Sequence, residues 1–197
     1  MLDILSHFFG AVCGQNLGHT WAPGGVPLPC CQRCTGLYVG AGLAALLHSW
    51  LRPKLSGWFL EIHGAFFLMM APFGFHWVPQ EAALRTLTGV LFGFAVVTFL
   101  WLPLRGRAGE QSARSNPKRG CDADGAGETP ALRWPQTAAG LYFLVLGATL
   151  ILLPATAALG GASVAYLLSC LAFCGALALV ALVVADVSFG VAWVVRR

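Results

Sequence analysis

Five stretches of this chain, roughly Thr35 to Leu51, Gly57 to Trp77, Ala82 to Leu104, Gln136 to Leu159 and Ala162 to about Val184, are apolar over lengths near that of a membrane crossing. A lipid-exposed strand would leave backbone N–H and C=O groups unpaired. Nothing here alternates like the ten-residue segments of an outer-membrane barrel either, so all five stretches predict helices. The sequence as a whole agrees: 57% hydrophobic residues, 10% charged and a mean hydropathy of +0.72 are far from the roughly half apolar and one quarter charged of soluble domains. The expectation is an all-α, polytopic integral membrane bundle of about five transmembrane helices. No basic stripe interleaved with aromatics is present, so nucleic acid is not an expected partner, and the bilayer is.

The chain ahead of the first stretch carries the polar chemistry. Leu2, Ile4, Leu5, Phe8, Phe9 and Val12 predict a short helix, too short to span a bilayer and therefore interfacial or re-entrant. It lacks the basic n-region and small-residue cleavage site of a secretory signal, so the mature chain is expected to start near Met1. Ala22 to Pro29 is rich in proline and glycine, cannot continue a helix, and returns Cys13 toward Cys31 and Cys34. The 105–134 connection lacks apolar periodicity and reads as a mobile cytoplasmic loop. It separates a Cys-motif membrane domain of three helices, 1–104, from a two-helix appendix, 135–197, whose tail from Asp186 extends the last helix or lies in the interface.

Orientation follows from the basic residues. Arg52 and Lys54 follow the first stretch, Arg105, Arg107, Arg114, Lys118, Arg119 and Arg133 fill the third connection, and Arg196 and Arg197 close the chain, which places ten of the 12 Lys and Arg on one side. By the positive-inside rule that side is cytoplasmic. The N-terminus, the connection around Glu81, the Gly160-Gly161 turn and the Cys cluster then lie on the outer face of a bacterial inner membrane. Arg33 and Arg85 depart from the pattern together. They are expected to converge beside the cysteines and attract an anion: thiolate, anionic lipid phosphate or a reduced quinone.

The thiols admit three readings. Cys13, His19, Cys31 and Cys34 supply a Cys3His set in which the Cys-x-x-Cys spacing lets two thiolates reach one tetrahedral ion, zinc or another thiophilic metal. Alternatively, Cys31 and Cys34 at a helix N-terminus beside Arg33 form a redox pair for thiol-disulfide exchange, coupled to quinone by architectural analogy with disulfide-forming membrane enzymes. Structural thiols or a disulfide that pins the N-terminal loop are the third. The role of Cys30 is open, Cys121 is a reduced loop thiol, and Cys170 with Cys174, four apart on one helical face, reads as packing.

The blocks Cys13-Gly14-Gln15, His19-Thr20-Trp21, Gly24-Gly25, Leu28-Pro29-Cys30-Cys31-Gln32-Arg33-Cys34-Thr35-Gly36-Leu37-Tyr38-Val39-Gly40 and Leu84-Arg85-Thr86-Leu87-Thr88-Gly89 through Gly93 together form a pattern. It resembles an uncharacterised family of bacterial and archaeal predicted membrane proteins, domain of unknown function 2085. Gly14 stands where that family carries a histidine and His19 where it carries an arginine. The resemblance covers about half the chain and implies a membrane fold and no particular activity.

Within the apolar stretches His48, Glu61 and His63 are the informative polar residues. With Arg52 and Lys54 they are expected to form an ion-pair cluster near the cytoplasmic interface; a proton or cation path is the sharper alternative. His76 and several tryptophans fit aromatic belts. No Ser-His-Asp order, phosphate-binding glycine loop or paired carboxylates can be assembled. The sequence therefore predicts a membrane protein with an outer-face, metal-binding Cys site, with a thiol-quinone oxidoreductase and a small-solute or ion transporter as alternatives.

Overall fold

The computed structural model describes residues 2–53, 56–75, 77–115 and 135–195. Every regular element among them is helical: α1 (Leu2–Gly10), α2 (Gln32–Leu51), α3 (Gly57–Gly74), α4 (Ala82–Ser115), α5 (Pro135–Leu159) and α6 (Ala162–Val195), with short 3-10 turns at Leu17–His19 and Pro23–Gly25. The all-α membrane bundle is as expected.

Among the described residues four helices are long and apolar enough to cross a bilayer: Gln32–Leu51, Ala82–Leu104, Ala138–Leu159 and Ala162–Ser188. The fifth, α3, has 18 residues, and Glu61 and His63 dilute its apolar content. Against the five crossings expected, four candidate spans are found among the described residues. The helical backbone also outruns the apolar stretches. α4 continues to Ser115 and α6 to Val195, which makes the tail after Asp186 an extension of the last helix. Residues 105–115 of the expected loop are helical, as the end of α4, and its remainder, 116–134 with Cys121, lies outside the described residues, as do Lys54 and His76.

A parallel pair at the centre, α2 and α4, is set by glycines. A Cβ on Gly36 would collide with the Thr86 carbonyl, and one on Gly89 with the Arg33 carbonyl; Gly40 and Gly93 repeat the contact one turn on, against Val90 and Leu37. With no side chain in the way the two backbones touch, the arrangement that gains most dispersion energy where lipid supplies no hydrophobic drive. α3 returns antiparallel along α4, since its end reaches Arg33, whose Nη2 donates to the Phe73 carbonyl at 2.9 Å. The turn at Pro23–Gly25 packs against the α5–α6 junction, with Gly24, at φ +59°, seated on Gly161 and Ala162. One face of the bundle therefore holds the N-terminal loop, the starts of α2 and α4, the end of α3 and the Gly160-Gly161 turn.

Roughly 24 Å along α2 from that face, at 1.5 Å per residue, four fully buried polar side chains meet: His48, His63, Thr98 and Tyr142. Thr98 donates to the Phe94 carbonyl at 2.9 Å, so it accepts from His48 Nε2 at 3.0 Å. His63 Nδ1 donates to the Phe59 carbonyl at 2.8 Å, which leaves Nε2 to accept the Tyr142 hydroxyl at 2.9 Å. Tyr142 stands 3.4 Å from Thr98 Oγ1. Among the described residues the expected ion-pair cluster is corrected: the two histidines bond to hydroxyls on α4 and α5 in the interior, while Glu61 and Arg52 are exposed. Removing a charge-free partner from such a network leaves one acceptor unmet, and in membranes that costs little. Tyr142→Phe is expected to lower stability by about 1 kcal/mol in a reversible detergent-unfolding titration; stability equal to wild type would show that the hydroxyl holds nothing.

Candidate functional site

The site is assembled by the N-terminal segment folding back on the start of α2. Val12 N and Cys13 N both donate to the Phe9 carbonyl, at 3.0 and 2.8 Å, which turns the chain at the end of α1. Gln15 then takes a left-handed backbone conformation, φ 44°, a cost met by its side chain: Nε2 donates to the carbonyls of Ser6 in α1 and Pro29 in the Cys loop, the latter at 2.9 Å. The loop between is fastened to α4 by Trp21, whose indole N–H donates to Thr86 Oγ1 at 2.8 Å. None of these clamps was apparent from the sequence, although Gln15 and Thr86 both sit inside the quoted motif blocks.

The result brings Cys13, Cys31 and Cys34 together, with their three sulfurs all within 4.8 Å of one another. Cys31 is the N-cap of α2 and Cys34 lies in its first turn, so unpaired amides and the positive end of the helix dipole favour negative charge here. The Cys31 amide donates to Cys13 Sγ at 3.3 Å. Hydrogen bonds from the Cys31 and Cys34 thiols hold Cys13 well below the ordinary thiol range. Cys30 is not part of the cluster. It is buried, contacts Thr35 Oγ1 at 3.4 Å, and burial pushes its thiol up to about 12.

His19, Arg33 and Arg85 line the same cavity as the three thiols, a cleft of about 270 Å³. His19 sits on the exposed turn at Leu17–His19; its Nδ1 donates to the Gly18 carbonyl at 3.0 Å, which leaves Nε2 as the basic nitrogen. It stands outside the close trio of sulfurs. Arg33 and Arg85 both line this cavity, because the Gly36/Thr86 and Arg33/Gly89 contacts put the starts of α2 and α4 side by side. Cys170 and Cys174 are exposed on α6, away from this cavity.

Residues 13–99 match the family model DUF2085, a predicted membrane protein. The resemblance read from the motif blocks is borne out over that stretch, and the DUF2085 region contains every residue that lines the cavity from Cys13 onward. No curated protein and no solved structure matches the chain.

Two thiolates on a tetrahedral ion with bonds of about 2.3 Å stand roughly 3.8 Å apart, so small side-chain adjustments would let the trio share one ion. The same trio has free thiols and could equally form one disulfide. Their protonation is unequal. A thiol with a lowered pKa is thiolate, and nucleophilic, at neutral pH, and a thiol raised to about 12 stays protonated until strongly alkaline pH. In metal-free protein at pH 7, iodoacetamide is therefore expected to modify Cys13 ahead of Cys30, read by peptide mass spectrometry; Cys30 reacting first would contradict the hydrogen-bond assignment.

Proposed function

We propose that the DUF2085 region holds a thiophilic metal ion, zinc-like, on Cys13, Cys31 and Cys34, at the outer face of a bacterial inner membrane. The observation that carries this reading is the mutual approach of three thiols from two chain segments 18 residues apart, held by dedicated clamps, at a helix N-terminus. The donor set fits: soft sulfur ligands, one with its pKa lowered by hydrogen bonds from the other two, suit Zn2+ and related ions. His19 Nε2 is the nitrogen donor in the same cavity, and the exposed 3-10 turn that carries it gives it room to approach.

Cobalt titration of the detergent-purified, chelator-treated chain tests this. Thiolate-to-cobalt charge-transfer absorption saturating at one ion per chain is expected, and a spectrum of ligand-field bands without sulfur charge transfer would overturn it. The outer-face assignment is tested separately by an impermeant maleimide, which should label Cys121 only after lysis.

The second reading is thiol-disulfide exchange, and the lowered pKa of Cys13 favours it. A pair of thiols would lose two electrons and two protons to a quinone, giving a disulfide and the quinol. A disulfide in freshly isolated, metal-free protein would support this reading against the metal.

A further inference from the structure

We infer that the Cys cavity is also an oxyanion site, with Arg33 and Arg85 recognising a phosphate group beside the thiols. Two guanidiniums line one cleft of about 270 Å³, and among the described residues no carboxylate lines it. Glu81, one turn before Arg85, is exposed and outside the cleft. Arg33 is anchored from behind: Nη2 donates to the Phe73 carbonyl at 2.9 Å and to Gln80 Oε1 at 2.6 Å, neutral acceptors that fix its position without cancelling its charge. The Nε atoms of both Arg33 and Arg85 are buried with no hydrogen-bond partner among the described residues, so each planar fork has unspent donors.

Snorkelling to headgroups explains one arginine at a membrane surface. It does not explain two drawn together by a backbone contact between α2 and α4 that admits no side chain. Two like charges that line one cleft favour an anion, and phosphate is the planar-fork partner most abundant at that depth. A single thiolate, or three thiolates carrying a divalent ion, supplies one negative charge against two guanidiniums, so the site calls for an external anion with or without the metal. The inference uses the cavity of the metal reading but does not require the ion.

The phosphate can belong to a lipid headgroup or to a soluble molecule, and two probes separate these. The full chain in non-ionic detergent is titrated calorimetrically with inorganic phosphate against chloride at matched ionic strength. In parallel, native mass spectrometry scores retained phosphatidylglycerol against phosphatidylcholine. Saturable phosphate binding identifies a soluble ligand; preferential phosphatidylglycerol retention without it identifies lipid. In either arm Arg33→Gln and Arg85→Gln are each expected to weaken binding by at least about tenfold, the loss of a charge-assisted hydrogen bond. Arg85→Lys, which keeps the charge and loses the fork, should fall between and guards against a variant that fails to fold. No response to either probe, or a response unchanged in Arg33→Gln/Arg85→Gln, overturns the site. Zinc measured on the same samples keeps the two readings apart: zinc retained without anion binding sinks this inference alone, and anion binding without zinc sinks the metal.

Discussion

Cys34→Ser will purify with at least about 100-fold weaker affinity for zinc than the wild-type chain. Losing a partner that merely orients a metal ligand costs about 10- to 100-fold, and the removal of a ligand from a set of three thiols costs no less. Cys31→Ser and Cys13→Ser should behave alike, since each sulfur lies within 4.8 Å of the other two. Cys170→Ser and Cys174→Ser are the controls: both sulfurs are exposed on α6 and line no part of the cavity, so zinc affinity is expected to be unchanged. Competition with a chromogenic chelator reads all five. Equal affinity in Cys34→Ser and wild type would remove Cys34 from the site.

The second large effect lies in the helix crossing. Gly89→Leu forces a side chain into the Arg33 carbonyl, and because the obstacle is backbone it cannot rotate away. α2 and α4 must separate, at a cost of about 3 kcal/mol, against which the better helix propensity of leucine recovers up to about 1 kcal/mol. The same separation parts Arg85 from Arg33 and loosens Thr86 from Trp21, so anion and metal binding should fall with stability. Gly147→Ala is the comparison, since a Cβ there meets nothing within 4 Å; it is expected to be neutral or slightly stabilising. Gly89→Leu unfolding at the wild-type denaturant concentration would show that the close crossing contributes nothing.

The glycine contact illustrates what could be read in advance. Spacing of Gly36 and Gly40, and of Gly89 and Gly93, advertises a small-residue face on each of two helices, but ordinary membrane helices carry such glycines too, and only the register of α2 on α4 makes them indispensable. Helix positions were legible because hydropathy marks the part of a helix that meets lipid. Their ends were not, since α4 and α6 continue past it. The convergence of Cys13 with Cys31 and Cys34 followed from a proline-glycine loop that must reverse, and from the Cys-x-x-Cys spacing.

His48 and His63 were placed at an interface because Arg52, Lys54 and Glu61 are their neighbours along the chain. Their actual partners, Thr98 and Tyr142, are 50 and 79 residues away. Threonine and tyrosine in an apolar stretch give no periodic signal of whom they will meet. For the same reason the Gln15 and Trp21 clamps were silent: a side chain that bonds a distant carbonyl or hydroxyl looks, in sequence, like any loop polar residue.

The metal reading is tested most directly by measuring zinc and reactive thiols together on the detergent-purified chain, before and after a strong chelator. The chain has 7 cysteines. With Cys13, Cys31 and Cys34 on the ion, the account predicts one zinc per chain and three thiols that become reactive toward a disulfide reagent only when the chelator removes it. No metal, with the same reactive thiols before and after chelation, would contradict it; two further thiols released by reductant alone would transfer the site to disulfide exchange.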